Sequence, residues 1–146
     1  MNMRNLAPPA FILVGSTLLA QPVQKYVDYW DSTKTVKRSE GLFVNGREWG
    51  EWKFWDRSGH LHEKADFKSG ERDGHVVIYY DNDTVQHDGW ILRGKQDSTM
   101  RSYYRNGRLM ESGTYRKGIK NGEWSYWFED GKPLLKEIWS DSIALS

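Results

Sequence analysis

A spacing of 24 residues recurs along this 146-residue chain and restricts it to a tandem-repeat fold. Glycines recur at this spacing, at Gly46, Gly70, Gly94 and Gly118. Each is followed four residues later by a second small residue, at Gly50, Gly74, Ser98 and Gly122. An aromatic ladder keeps the same register, at Trp55, Tyr79, Tyr103 and Trp127. Because no copy slips by a residue, we interpret 39–142 as four repeats and a partial fifth.

Each repeat has the pattern of a β-hairpin. Its outgoing strand is rich in aromatic residues, as in 123–128, and ends in a turn pair such as Asp130-Gly131. The returning strand, as in 109–115, leads to the two repeat glycines, which we expect to turn the chain into the next unit. A helix is excluded, because the turn positions leave no uninterrupted stretch of about ten residues. The pattern predicts an all-β fold of 24-residue hairpin repeats.

Strand alternation sorts the side chains of each repeat onto two faces. One face collects the more continuous apolar stripe, which includes Trp52 and Trp124, and we expect it to be the packed side. The other face is mostly polar and carries the aromatic ladder, one residue per repeat. On the returning strand, Ala65, Gly89 and Gly113 share one position. A small residue there lets a neighbouring aromatic ring lie flat over the backbone.

Three segments, NGREWGEWKFWDRSGHL, RNGRLMESGTYRKG and NGEWSYWFEDGK, resemble the MORN-repeat variant of proteins often labelled YwqK-like antitoxins. The residues that match its motif best are Gly118, Gly122, Trp124, Trp127 and Gly131. The third copy departs from the motif, with Ser98 for Gly and Met100 for Trp. The resemblance implies an elongated, single-layer antiparallel sheet of successive hairpins. It also implies scaffolding, partner binding or contact with membrane phospholipids.

The first twenty residues have the layout of a secretory signal peptide, with Arg4, an apolar run over 11–20 and a small residue, Ala20, at its end. The run is shorter than the ~20 residues of a membrane-spanning helix. We therefore expect a signal peptide at 1–20, an N-terminal cap with a degraded half-repeat at 21–38, the repeats at 39–142 and a tail at 143–146. The protein would be exported, to the periplasm or beyond the cell. A mature chain that begins at Met1 would favour the alternative, a cytoplasmic protein.

Composition and motifs point away from catalysis and from nucleic acid. The 21 basic and 20 acidic residues nearly balance, and no basic stripe of the kind that binds nucleic acid is present. Cysteine is absent, which rules out thiolate chemistry. His60 and His62 share a strand face, but no third metal ligand accompanies them at a suggestive spacing. We expect no enzymatic activity, no cofactor, no metal and no small-molecule substrate.

The aromatic ladder is the candidate binding surface. Trp and Tyr carry much of the energy at recognition surfaces, but aromatic residues at matching positions also stack across hairpins and stiffen a thin sheet. The leading hypothesis is a protein-binding scaffold that an unknown protein partner contacts along this face. The alternatives are a module that binds membrane phospholipids, which the balanced charge disfavours, and an antitoxin-like binding protein of a toxin–antitoxin pair if the N-terminus is not cleaved. Glycan binding through the aromatic residues is a further possibility.

Overall fold

The computed structural model describes residues 22–140 and 143–145, and every regular element in these residues is a β-strand. The predicted signal peptide at 1–20 lies outside the described residues. In the described part of the chain no helix is present that could cross a membrane. The eleven strands are β1 Val23–Tyr29, β2 Lys37–Val44, β3 Arg47–Trp55, β4 Leu61–Lys68, β5 Glu71–Tyr79, β6 Val85–Leu92, β7 Lys95–Tyr103, β8 Leu109–Arg116, β9 Ile119–Trp127, β10 Pro133–Ser140 and β11 Ile143–Leu145.

The strands form one open antiparallel sheet in which the spatial order follows the chain order from β1 to β11. Each strand from β2 to β10 pairs with the strand before it and the strand after it, so the sheet consists of successive hairpins. The sequence prediction of an all-β, single-layer sheet of hairpin repeats is confirmed. One 24-residue repeat supplies two strands, for example β3 and β4.

Two kinds of turn alternate along the sheet. The connection from a returning strand to the next outgoing strand is a two-residue turn with both φ angles positive, as at Lys117 (56°) and Gly118 (87°). This is the geometry of a type I′ turn, which matches the right-handed twist of the flanking strands. The connection within a repeat is longer, and Asp56 shapes the first one by accepting hydrogen bonds from the backbone N–H groups of Ser58 and His60.

The second glycine of each pair lies inside a strand, so the expectation that it turns the chain was wrong. Between the pairs Ser112↔Ser125 and Thr114↔Asn121, strand β9 advances four residues while β8 advances two. The result is a β-bulge at Gly122, whose φ is 72°. In the third repeat Ser98 adopts the same left-handed conformation, with φ of 61°.

Hydrogen bonds join successive hairpins at both ends of their strands, along the two edges of the sheet where the turns lie. At the edge formed by the two-residue turns, Gly118 N–H donates to the carbonyl of Gln96 at 2.7 Å, and the equivalent bond recurs in the two preceding repeats. At the opposite edge, the Asn106 side-chain amide donates to the carbonyl of Glu129 at 3.2 Å. Because the second, third and fourth repeats are bonded to one another at both ends, the spacing between them is fixed.

The few buried apolar side chains lie on the face that the sequence predicted to be packed. Trp52 is 3% exposed, Ala65 is 1% exposed and Trp124 is fully buried. Trp124 lies directly over Gly113 on the adjacent strand, as expected from the small residue there. Among the described residues no second layer covers this face, so its interior consists of side chains that cover one another along the sheet.

Candidate functional site

The four ladder residues occupy the last position of the four outgoing strands β3, β5, β7 and β9. Each follows a residue of the apolar stripe or its repeat equivalent, so the ladder lies on the opposite, mostly polar face. All four side chains are partly exposed. The structure therefore places these residues in one register along one edge of one face, as the 24-residue spacing requires.

The backbone of the ladder is held by the aromatic residue at the turn of the preceding repeat. The hydroxyl of Tyr80 donates to the carbonyl of Tyr103 at 2.9 Å, and the hydroxyl of Tyr104 donates to the carbonyl of Trp127 at 2.8 Å. The indole N–H of Trp30 makes the equivalent bond to the carbonyl of Trp55. Three of the four ladder positions are thus fixed by side chains of the neighbouring hairpin.

Two of the four ladder rings, those of Trp55 and Tyr79, lie close to lysine ammonium groups. The ammonium group of Lys37 lies 5.4 Å from the centroid of Trp55, and that of Lys64 lies 5.7 Å from the centroid of Tyr79. Among the ring pairs of the described residues none joins two ladder members. Stacking along the ladder, which would have been its structural role, is therefore not observed. Cation–π contacts of this kind contribute about 0.5–1 kcal/mol each at exposed sites.

On the opposite face, aromatic rings gather at the two ends of the sheet. At the N-terminal end, ring centroids lie 5.0–6.2 Å apart in a cluster made of Tyr26, Phe43, Trp52, Phe54 and Phe67. At the C-terminal end, Trp124 packs against Tyr115 with an edge-to-face geometry and a centroid distance of 5.0 Å. The ammonium group of Lys120 covers the Trp124 ring at 4.1 Å.

The middle of this face lacks a tryptophan and contains a groove of about 310 Å³. Val76 and Met100 occupy the positions that Trp52 and Trp124 hold in the outer repeats. Smaller side chains at these positions leave the backbone of strand β6 uncovered, and Gly89 forms part of the groove lining. The groove is thus a consequence of where the repeat departs from its own pattern.

A chain of three polar side chains crosses the strands beside the groove. The Ser102 hydroxyl is fully buried and donates to a Glu111 carboxylate oxygen at 2.9 Å. The Nδ1 atom of His87 lies 2.9 Å from the same hydroxyl oxygen. The single hydroxyl proton of Ser102 is used in the hydrogen bond to Glu111, so His87 must donate its Nδ1–H to the serine oxygen. The serine therefore accepts a hydrogen bond from the histidine and donates one to the glutamate. In a serine nucleophile activated by histidine, the hydroxyl instead donates to the histidine.

Burial lowers the pKa of His87 from its ordinary value, although the negative charge of Glu111 opposes this shift. A histidine with a depressed pKa binds fewer protons in the folded than in the unfolded state. The stability that it contributes is present above the unfolded pKa of about 6.5 and is lost as pH falls below that value.

Replacing His87 by Asn should therefore reduce the loss of stability between pH 7.5 and pH 5.5. Asn keeps a donor for Ser102 but does not titrate in this range. Urea denaturation at several pH values measures the effect. A wild type and a His87→Asn variant that lose stability in parallel would contradict the assignment.

The other histidines do not assemble a metal site in the described part of the chain. His60 and His62 are exposed, and the nearest carboxylate to His60 Nδ1 is that of Asp83 at 3.8 Å. His75 Nε2 lies 2.6 Å from the Asp88 carboxylate. Within residues 22–140 and 143–145 no group of three or more His, Cys, Asp or Glu side chains lies close enough to hold a metal ion.

Sequence reasoning missed two features of the packed face. Gly41 lies beneath the ring of Trp52 just as Gly113 lies beneath Trp124, and its position 24 residues before Ala65 was the available signal. The burial of Ser102 was also missed, because the 24-residue pattern alone does not show that a serine at an apolar position is satisfied by His87 and Glu111 on the flanking strands.

Comparison with known proteins supports the repeat assignment. The family model described as the MORN repeat variant matches residues 50–69, 96–117 and 120–141, which correspond to the hairpins β3–β4, β7–β8 and β9–β10. The hairpin β5–β6, which lies between the first two matches, carries most of the lining of the groove. No curated protein matches the chain significantly. The chain is thus a β-hairpin repeat protein that matches the MORN repeat variant at three places.

Proposed function

We propose that this protein is a non-enzymatic scaffold that binds another protein along the face that carries the aromatic ladder. The observation that supports this proposal best is the partial exposure of all four ladder rings on a sheet of one layer. Partly exposed Trp and Tyr side chains on a fixed backbone lose little conformational entropy when a partner covers them. From the signal-like pattern at 1–20, we place the scaffold outside the cytoplasm.

The ladder suits an extended partner surface rather than a small molecule. Its members recur on alternate strands, which places neighbouring members about 10 Å apart across the sheet. The cations over Trp55 and Tyr79 add positive charge beside the rings, and Arg105 forms an ion pair with Asp81 near the same edge. Aromatic anchors surrounded by charged residues are the usual anatomy of a protein–protein interface.

Site-specific photo-crosslinking tests this proposal. A benzophenone amino acid at position Tyr103 in the native host should give a discrete adduct of higher mass. The same group at Lys95, at the other end of strand β7, should give none, because that position lies at the opposite edge of the sheet. Replacing Trp55 and Trp127 by Ala in the Tyr103 probe should remove the adduct while the sheet remains folded. An adduct that persists in that variant would overturn the assignment of the binding face.

Two other functions rank below this one. Contact with membrane phospholipids is favoured by four exposed apolar side chains of the β9–β10 hairpin, those of Phe128, Leu134, Leu135 and Ile138. Balanced charge counts against binding to anionic lipid, and sedimentation with liposomes of neutral and anionic composition separates the two cases. An antitoxin-like role in the cytoplasm, which the resemblance to YwqK-like proteins suggests, requires a mature chain that begins at Met1.

A further inference from the structure

We propose that the central groove is a seat for a tryptophan side chain presented by a partner protein. This site lies on the face opposite the ladder, so it goes beyond the binding surface proposed above. Its chemistry is inferred from the same chain, because two outer repeats hold their own indole rings at the equivalent place.

The outer repeats show what such a seat requires. The ring of Trp124 lies flat over Gly113, and its Nε1–H donates to the carbonyl of Thr114, the residue after that glycine, at 3.1 Å. In the first repeat Trp52 does the same, lying over Gly41 and donating to the carbonyl of Leu42 at 3.2 Å. The seat therefore consists of a glycine, over which the ring lies, and the backbone carbonyl of the residue that follows this glycine.

The central repeat has the equivalent glycine, Gly89, but no aromatic ring lies over it. A Cβ atom built on Gly89 meets its nearest neighbour, Met100 Cγ, at 3.6 Å, which is ordinary contact. At Gly113 the equivalent atom would overlap the Trp124 ring. The carbonyl equivalent to that of Thr114 belongs to Trp90, a residue that also lines the groove. The unbranched Met100 side chain is adaptable enough to move aside for a ring.

The electrostatics of the groove favour a neutral ring with a single N–H donor. The apolar side chains in its lining come from Val76, Ile78, Ile91 and Met100. The one formally charged lining residue is Asp88, whose carboxylate is hydrogen bonded to His75. A lysine or arginine would lose its hydration there without a counter-charge, whereas an indole buries its carbon atoms and keeps one hydrogen bond.

NMR spectroscopy of the protein and of the ligand can test whether this groove binds an indole. The probe is N-acetyl-L-tryptophanamide. In protein labelled at its methionine methyl groups, the Met100 signal should shift saturably, while that of Met110, on the opposite face, should not. The analogue methylated at the indole nitrogen should bind about fivefold more weakly, because it lacks the donor. N-acetyl-leucinamide should give no saturable shift. An unchanged Met100 signal, or equal shifts with the leucine probe, would overturn the proposal.

Variants that fill the seat provide a second test by saturation-transfer difference spectra of the probe. Met100→Trp should abolish the transfer, since its own ring would lie over Gly89 as Trp124 lies over Gly113. Met110→Trp, the same change on the other face, should retain it. Binding that survives in a folded Met100→Trp protein would contradict the site, as would binding of free indole without binding of the blocked amide. Crosslinking at Tyr103 is independent of these results, so the two proposals fail separately.

Discussion

Replacing Trp124 by Ala should lower the free energy of unfolding by about 4 kcal/mol, the range found for deletion of a buried tryptophan. The indole is fully buried, packs against Tyr115 and Tyr126, and donates to the carbonyl of Thr114. A one-layer sheet has no second layer that could close the resulting cavity, so the loss should be close to its full value. Chemical denaturation monitored by far-ultraviolet circular dichroism measures it.

Trp90 offers a matched control for this experiment. It is 51% exposed, and the one ring that it packs against among the described residues is that of His75 at 5.2 Å. Trp90→Ala should therefore change the free energy of unfolding by less than about 1 kcal/mol. Similar losses for the two variants would show that the packed face does not hold the sheet together as the structure indicates.

Replacing Gly113 by Ala should destabilise the protein by about 3 kcal/mol, although it adds only one methyl group. That methyl would overlap the Trp124 ring, with Cγ of the ring only 2.5 Å away. The ring is buried and hydrogen bonded, so it has no other place to go. Gly89→Ala, at the equivalent position one repeat earlier, should instead raise stability by about 0.5 kcal/mol, since alanine is favoured over glycine within a strand.

Thermal or urea denaturation of the two alanine variants side by side decides this prediction. The Gly113→Ala change should also cost much less in a Trp124→Ala background, because the overlapping ring has been removed. Equal effects of the two glycine substitutions would show that the Gly113 backbone and the Trp124 ring are not in direct contact.

The sequence predicted the architecture well because its signals are local. Two-residue turns such as Lys117-Gly118 are encoded by adjacent residues, and the alternation of side chains within each strand follows from strand geometry alone. The flat packing of a ring on a small residue was also predicted, since the small residues Ala65, Gly89 and Gly113 recur at the 24-residue spacing. The bulge at Gly122 was not, because a glycine with positive φ looks the same in a turn and inside a strand.

The candidate sites could be predicted from the sequence only in part, and the reason is physical. Spacing placed Trp55 and Tyr79 in one register, but it did not show that Lys37 and Lys64 lie over their rings. Met100 was recognised as a departure from the repeat pattern without any indication that a groove results. A groove depends on the volumes of side chains from three adjacent strands, and these meet only when the register of each pair is known.

The sequence by itself determined the hairpin, its 24-residue length and the division into two faces, because turns and strand alternation act over a few neighbouring residues. The tertiary structure decided which side chains of different repeats meet. It placed the Tyr104 hydroxyl on the carbonyl of Trp127, and it buried Ser102 between His87 and Glu111. It also left Gly89 without the indole ring that covers Gly113. These contacts join residues on different strands, so they depend on the bulges and the pairing register that the sheet adopts as a whole.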